Sequence, residues 1–441
     1  MALRQYSPMT LLLTGFGWLV LSSMLGLAML IGLVRGTPLP PWVRALHVHA
    51  TLVGGVVPIL LVSLLLLRDA WGSKTIKKRE IHPLTYWALN GGLVGMLVGF
   101  WLPQSLLVEA AGISITGAFL ALIYKIWVQS NQNGTSSIHQ SWYDSLAFIG
   151  LFIGLICGGI LSLELIPESY GYLRLAHIHS ILLGFMVLTV IGMVRQLLPT
   201  LWSSPLVSPR LMNLSTRLLP ISVAVLIGGF LNSSVPLEMV AGAILVITLV
   251  IFAGTLLKTW LASSHIGSAA SDHLMISVLF LCLTVIIGIL VGINRLSIPP
   301  LLPYGKLHLA AYTHMAFIGF LLNAVMGLFS YLLPLELATD RVSNVKRQGA
   351  YIEQLTAILD RGRTIQITTL CVGTMGLAIL AALTWNVPIT SRSIQISTWT
   401  CFGLLLTSLT LFSIKLAAVW SKQPETMATT QIPPHELKLT A

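Results

Sequence analysis

Charge is what this chain has least of: Asp, Glu, Lys and Arg together make up 9% of its 441 residues. A soluble domain of that length exposes far more charge, so that class is excluded. Cysteine is equally sparse. Cys157, Cys282, Cys371 and Cys401 all fall inside apolar stretches, and no C-x-x-C-H occurs. Neither a disulfide framework nor a covalently attached c-type haem is expected. Acidic residues are few as well, 14 against 25 Lys and Arg, which leaves a formal net charge of +11. A nucleic-acid partner is still not expected, because the basic residues sit where membrane topology requires them.

What fills the chain instead is apolar: 55% of residues are hydrophobic and the mean hydropathy is +0.87. A helix needs about 20 apolar residues to cross the hydrocarbon core, and about twelve such runs can be marked. They lie near 10–34, 45–67, 83–102, 107–128, 143–165, 174–198, 213–233, 237–260, 273–293, 307–333, 365–384 and 395–420. The expected fold is all-α, a polytopic membrane bundle of about twelve transmembrane helices embedded in the lipid bilayer. The first run is too long for a signal-peptide core, and "VRGTPLP" after it lacks a small-x-small cleavage site, so a retained span is expected.

Of the Lys and Arg residues, only Arg35, Arg44, Arg174, Arg295, Lys306 and Arg392 flank the odd-numbered connections. The rest gather beside the termini and the even-numbered connections, as in "RDAWGSKTIKKRE". Since positive residues stay inside, both termini are expected on the cytoplasmic side of a prokaryotic inner membrane. Short connections leave no room for a soluble domain, so residues 1–441 read as one membrane domain. The longest polar segments, 335–364 and the tail 421–441, are expected to be a solvated linker and a disordered cytoplasmic end.

An internal repeat divides the domain. Aligning His179 with His314 sets "HSILLGFMVLTVIGMVRQLLP" against "HMAFIGFLLNAVMGLFSYLLP". Glycines coincide five residues on (Gly184, Gly319) and thirteen on (Gly192, Gly327), and prolines twenty on (Pro199, Pro334). The second span opens alike, "LHVHATLVGG", with His49 and Gly54 in the same register. These are the second, sixth and tenth spans. Four helices used three times is therefore the natural unit, with repeat-like stretches of about 1–130, 131–262 and 263–420.

His47, His49, His177, His179, His308 and His314 all sit at the starts of those three spans. In this topology they form a layer in the outer half of the bilayer. An ionisable side chain there is costly unless it faces the bundle interior and has a partner, which makes each a functional candidate. Two positions separated by one residue point about 200° apart around a helix, so one H-x-H can address sites on both sides. Neutral imidazole ligates iron, copper or zinc, and apolar walls suit a haem macrocycle. Glycine five residues on would admit a porphyrin or a neighbouring helix. Asn90 and Asn323, well inside spans, fit a polar pathway or interhelical hydrogen bonding equally well.

Three arcs of four helices, with histidines near the outer surface on the second and tenth, resemble subunit I of the haem-copper oxidases and the related nitric oxide reductases. The motif-level likeness lies at those two helices. His314, Met326 with Gly327, and Pro334 match the family's tenth helix. What the resemblance implies is a low-spin haem b held by His314 and by His47 or His49. His49 is favoured by the internal repeat and His47 by its spacing to Pro58. Arg44, Arg174, Arg295 and Arg392 lie on the outer side, where haem propionates in that family need cations, and Arg392 occupies the connection where the family places such arginines. The chain also departs from the pattern. Tyr312 stands where the high-spin haem ligand belongs, and the seventh span, "LMNLSTRLLPISVAVLIGGFL", has no histidine. Copper is therefore not expected at the family's usual place.

The function implied is electron transfer in a respiratory or nitric-oxide-related redox complex, with oxidoreductase partners such as a cytochrome c. His177, His179 and His308 are candidates for a second haem or a non-haem metal. Two rival expectations come from other classes: a histidine-lined proton or metal-ion transporter or channel, and a structural subunit without cofactors.

Overall fold

The computed structural model describes residues 5–72, 80–132, 138–264, 267–296, 312–383, 387–388 and 390–424. Among them there is no β-strand, only a lone antiparallel bridge between Tyr6 and Ile81. Among the described residues, eleven helices are long and apolar enough to cross a membrane. The protein is an all-helical, multi-pass membrane protein.

Helix α1 is Pro8–Val34, with Pro at its first position and the Ser7 side chain accepting from the Thr10 amide at 3.3 Å. Helix α2 runs through Pro41–His49, Ala50–Val56 and Val57–Gly72 without a break. Then come α3 (Pro83–Trp101), α4 (Ser105–Gln132) and α5 (Ile138–Ser162). Helix α6 combines Tyr170–His179, Ser180–Val187 and Leu188–Leu201. Helices α7 (Pro209–Leu231), α8 (Val235–Ala262) and α9 (Ala269–Leu296) follow. Helix α10 is described from Tyr312 to Arg341, and α11 is Val345–Asp360. The last two, α12 and α13, are Arg363–Leu383 and Arg392–Ser421.

Two expectations change. The run at 83–102 does form the 19-residue helix α3, but it is not among the eleven apolar spans. Thr85, Tyr86, Asn90 and two adjacent glycines dilute its hydropathy, and Asn90 is engaged by Trp18 of α1 at 2.9 Å. The segment 335–364 is no solvated linker. Residues up to Arg341 extend α10, and α11 buries Tyr351, Leu355 and Leu359, spaced four apart on one face. The tail beyond residue 424 lies outside the described residues.

Helices α2, α6 and α10 are the most enclosed, with 83%, 78% and 72% of their apolar windows buried, against 22% to 44% for the other spans. Each packs against the helix that precedes it: α1 on α2, α5 on α6, α9 on α10. The α3–α4 and α7–α8 pairs are helical hairpins whose turns match 130 residues apart. Pro103 and Ser233 occupy the same place in the two turns. The Gln104 amide bonds the Gly99 carbonyl at 2.9 Å, and the Ser234 amide bonds the Gly229 carbonyl at 2.8 Å. Lower in the bundle, Arg68 of α2 and Asp144 of α5 form a buried ion pair.

Candidate functional site

The three inner helices share one local departure from α geometry. In each, a π-helical stretch begins immediately after a histidine: Ala50–Val56 after His49, Ser180–Val187 after His179, and Met315–Leu322 after His314. Such i→i+5 stretches are rare and concentrate at functional sites. Two of these histidines bond back along their own helix. The ring N–H at Nδ1 of His49 donates to the Ala45 carbonyl one turn back at 2.8 Å, and that of His179 donates to Leu175 at the same distance. Each ring is thereby held against the last α-helical turn before the π-helical stretch.

The first histidine of each H-x-H turns to the preceding helix instead. His47 donates from Nδ1 to the Ser22 carbonyl of α1 at 2.8 Å, and the Ser22 hydroxyl bonds the His47 carbonyl at 2.8 Å. His177 donates from Nδ1 to the Gly154 carbonyl of α5 at 2.7 Å. A glycine one turn further along makes room for each ring. A Cβ on Gly26 would sit 2.9 Å from the His47 ring, and one on Gly158 would sit 3.0 Å from the His177 ring. In α10 the corresponding residue is Tyr312, and a Cβ on Gly288 of α9 would lie 2.8 Å from its hydroxyl. The same knob therefore meets the same hole three times, as His, His and Tyr.

In His47, His49, His177 and His179 alike, a carbonyl fixes the proton on Nδ1. Nε2 then carries the lone pair, the tautomer a metal-ligating imidazole requires. These rings are closely surrounded by protein yet keep accessible surface, as do the residues three and four further on: Leu52 and Val53, Leu182 and Leu183, Phe317 and Ile318. Aromatic rings stand beside two of these histidines. Phe100 lies 4.6 Å from His49 and Phe230 lies 4.7 Å from His179, centroid to centroid. Across the bundle, His47 lies within electrostatic reach of His314, and His49 within reach of His177.

Of the remaining sequence candidates, Arg44, Arg174 and Arg392 are exposed near helix starts. His308 and the Arg295 side chain lie outside the described residues. Among the described residues no group of three His, Cys, Asp or Glu is placed to hold a metal ion. His177 and His179 face different neighbours, so each serves a different space. The glycine five residues on is filled by a neighbouring helix: a Cβ on Gly54 would meet Trp18 at 2.8 Å, one on Gly319 would meet Phe280 at 2.7 Å, and Gly184 lies against Gly150.

Sequence reasoning missed His273, which is fully buried on α9. Its Nδ1–H donates to Asn323 Oδ1 at 2.7 Å and its Nε2 accepts from Gln366 Nε2 at 2.8 Å. Gln366 Oε1 in turn accepts from Lys415 Nζ at 2.7 Å. Asn323 thus belongs to a buried polar chain through four helices, whereas Asn90 makes a single bond between helices. The missed sequence signals were R-x-x-H-x-H, which occurs as "RALHVH" at 44–49 and "RLAHIH" at 174–179, and glycines 26, 158 and 288 at nearly constant spacing.

Compared with known proteins, the chain matches no family model, and no curated protein matches it.

Proposed function

We propose that the chain is a haem b protein of a prokaryotic inner membrane, with about twelve helices in three four-helix arcs and both termini cytoplasmic. Its haem is held between α2 and α10 by His47 and His314, and it carries electrons within a redox complex that includes further subunits such as a cytochrome c. What supports the reading is the presence of these two imidazoles at the starts of two of the most enclosed helices. They come from separate inner helices, lie within electrostatic reach, and His47 keeps Nε2 free because Ser22 takes its Nδ1 proton. That favours His47 over His49 as the partner of His314.

A haem ligated by two imidazoles supplies one-electron transfer without an open coordination position. The chain's own contribution is positional. Ser22 and Thr51 brace the His47 turn through bonds to its carbonyl at 2.8 Å each. Phe317 and Ile318 line the space one turn inward from His314. Arg44 and Arg392 offer cations at the outer rim for propionates. The family's usual copper site has no place in this reading, since α7 carries no histidine.

A second reading, a proton pathway, is favoured by one observation: the Asn323–His273–Gln366–Lys415 chain. Optical spectroscopy separates the two. Purified protein is expected to show a Soret band, a pyridine haemochrome of the b type and stoichiometric iron, and His47→Ala and His314→Ala are each expected to lose that haem. Protein without iron or Soret absorbance would overturn the haem reading and leave the proton pathway standing.

A further inference from the structure

We propose that the turn between α6 and α7 forms a binding site for the headgroup of an anionic phospholipid, with Arg195 holding the phosphate. The site lies at the end of α6 opposite the histidines and is independent of the haem reading. An open cavity of about 500 Å³ is lined there by Arg195, Pro199, Thr200, Pro205, Leu206 and Pro209, among others. Three prolines restrict its backbone, so the walls stand before a ligand arrives.

Arg195 is half-buried and supplies the cavity with its cation. Its guanidinium is held by neutral groups of α7, Asn213 Oδ1 at 2.6 Å and Thr216 Oγ1 at 3.2 Å. Those bonds fix the fork without neutralising it, and they use two of the five N–H donors that a guanidinium carries. Among the described residues no carboxylate pairs with Arg195, whereas Arg68 has Asp144 and Arg363 has Asp272. A fixed fork with donors to spare and no counter-ion suits a phosphate, which it can bind through two parallel N–H···O bonds.

The surroundings carry one sign of charge. Residues 195–217 include Arg195, Arg210 and Arg217 and neither Asp nor Glu. The Val207 amide bonds Thr259 Oγ1 at 3.2 Å, which brings in the end of α8 with Lys258 and again no acid. On α7, Arg210, Asn213 and Arg217 follow at helical spacing, so Arg195 is bonded to the face that carries the two other arginines. Membrane topology alone asks for cations on one side, but for neither a walled cavity nor a guanidinium fixed in it.

What selects a lipid over a soluble anion is the surface next to the cavity. Leu211, Leu214 and Ile221 are 44%, 45% and 53% exposed and follow along α7 at helical spacing. They form an apolar stripe that starts beside Pro209 at the rim and continues along the span. A phosphodiester on Arg195 can thus lay its acyl chains on α7, in the manner of lipids whose headgroups enter basic pockets between transmembrane helices.

The full chain, purified in detergent, tests this by native mass spectrometry with added lipid. Phosphatidylglycerol is expected to bind about tenfold more tightly than phosphatidylcholine, whose headgroup carries no net charge. Arg195→Gln should remove that preference. Thr200→Trp, which fills the cavity and leaves Arg195 with its α7 partners, should weaken phosphatidylglycerol as much, and it decides the matter if Arg195→Gln is not monodisperse. Inorganic phosphate should not displace the lipid, because it has no chain to lay on Leu211 and Leu214. Equal affinity for the two lipids, or unchanged phosphatidylglycerol binding in either monodisperse variant, would overturn the proposal. Displacement by inorganic phosphate would overturn it too, since the site would then serve a soluble anion.

Discussion

Lys415 of α13 donates to Gln366 of α12 at 2.7 Å in the interior of the bundle, and its second bond, 2.9 Å to the Leu359 carbonyl, ties α11 to the same ammonium. From there the bonds run in one direction. Gln366 donates to His273, His273 donates to Asn323, and Asn323 donates to the Gly319 carbonyl at 2.8 Å. Every member uses the partner it has, so the removal of one strands its neighbours.

Lys415→Met is therefore expected to destabilise the protein by about 1–3 kcal/mol for each buried acceptor left unpaired, here Gln366 Oε1 and the Leu359 carbonyl. Gln366→Leu should cost more, since it breaks both of the links that residue makes. Thermal unfolding in detergent, followed by fluorescence, measures this. The haem spectrum should stay unchanged in both variants, because the chain lies below the histidine layer. Wild-type melting temperatures in both would show that these bonds contribute nothing to the fold.

The glycines under the imidazoles give a second expectation. Gly26→Ala and Gly158→Ala place a Cβ 2.9 and 3.0 Å from the His47 and His177 rings. Each ring must move off its carbonyl, and disturbing such a partner typically weakens a metal site about 10- to 100-fold. On the proposed haem reading, retention should fall in Gly26→Ala, which displaces the ring of the proposed ligand His47. Gly17→Ala and Gly117→Ala, where a Cβ meets nothing within 4 Å, serve as controls and should keep full haem content. Equal retention in all four variants would dissociate the rings from ligation.

Topology gives the third. Alkaline phosphatase fused after Glu168, in the connection before α6, is expected to be active, and fused after Ser204, beyond α6, inactive. A fusion within 102–104 tests α3 directly, because activity there requires α3 to cross the membrane. Because α4 and α5 both lie between that turn and Glu168, inactive fusions at both sites would place α3 on the surface and reduce the number of crossings by one.

Much of the fold was legible because twenty-residue apolar runs have few other fates. The histidine register was legible too, since His, Gly and Pro stand out against a background of leucine. Three things were not. Helix α11 was hidden by its polar composition, although Tyr351, Leu355 and Leu359 already mark a stripe at helical spacing. The π-helical stretches at Ala50–Val56, Ser180–Val187 and Met315–Leu322 are a change of hydrogen-bond register, which no periodicity displays. His273 was overlooked because it belongs to no repeat, and its partners Asn323 and Gln366 lie 50 and 93 residues away along the chain.

The order in which the chain is made has a consequence for α2, α6 and α10. Each carries its polar turn into a setting where a bare imidazole is expensive. Each is also synthesised directly after the helix that shelters it, α1, α5 or α9. When such a segment leaves the insertion machinery, its chaperone in cis is already in the bilayer, offering Ser22, Gly154 or the hollow at Gly288. A circular permutant that separates α1 from α2 should thus suffer at the stage of assembly, through degradation of the nascent product, even where the finished bundle would be as stable as before.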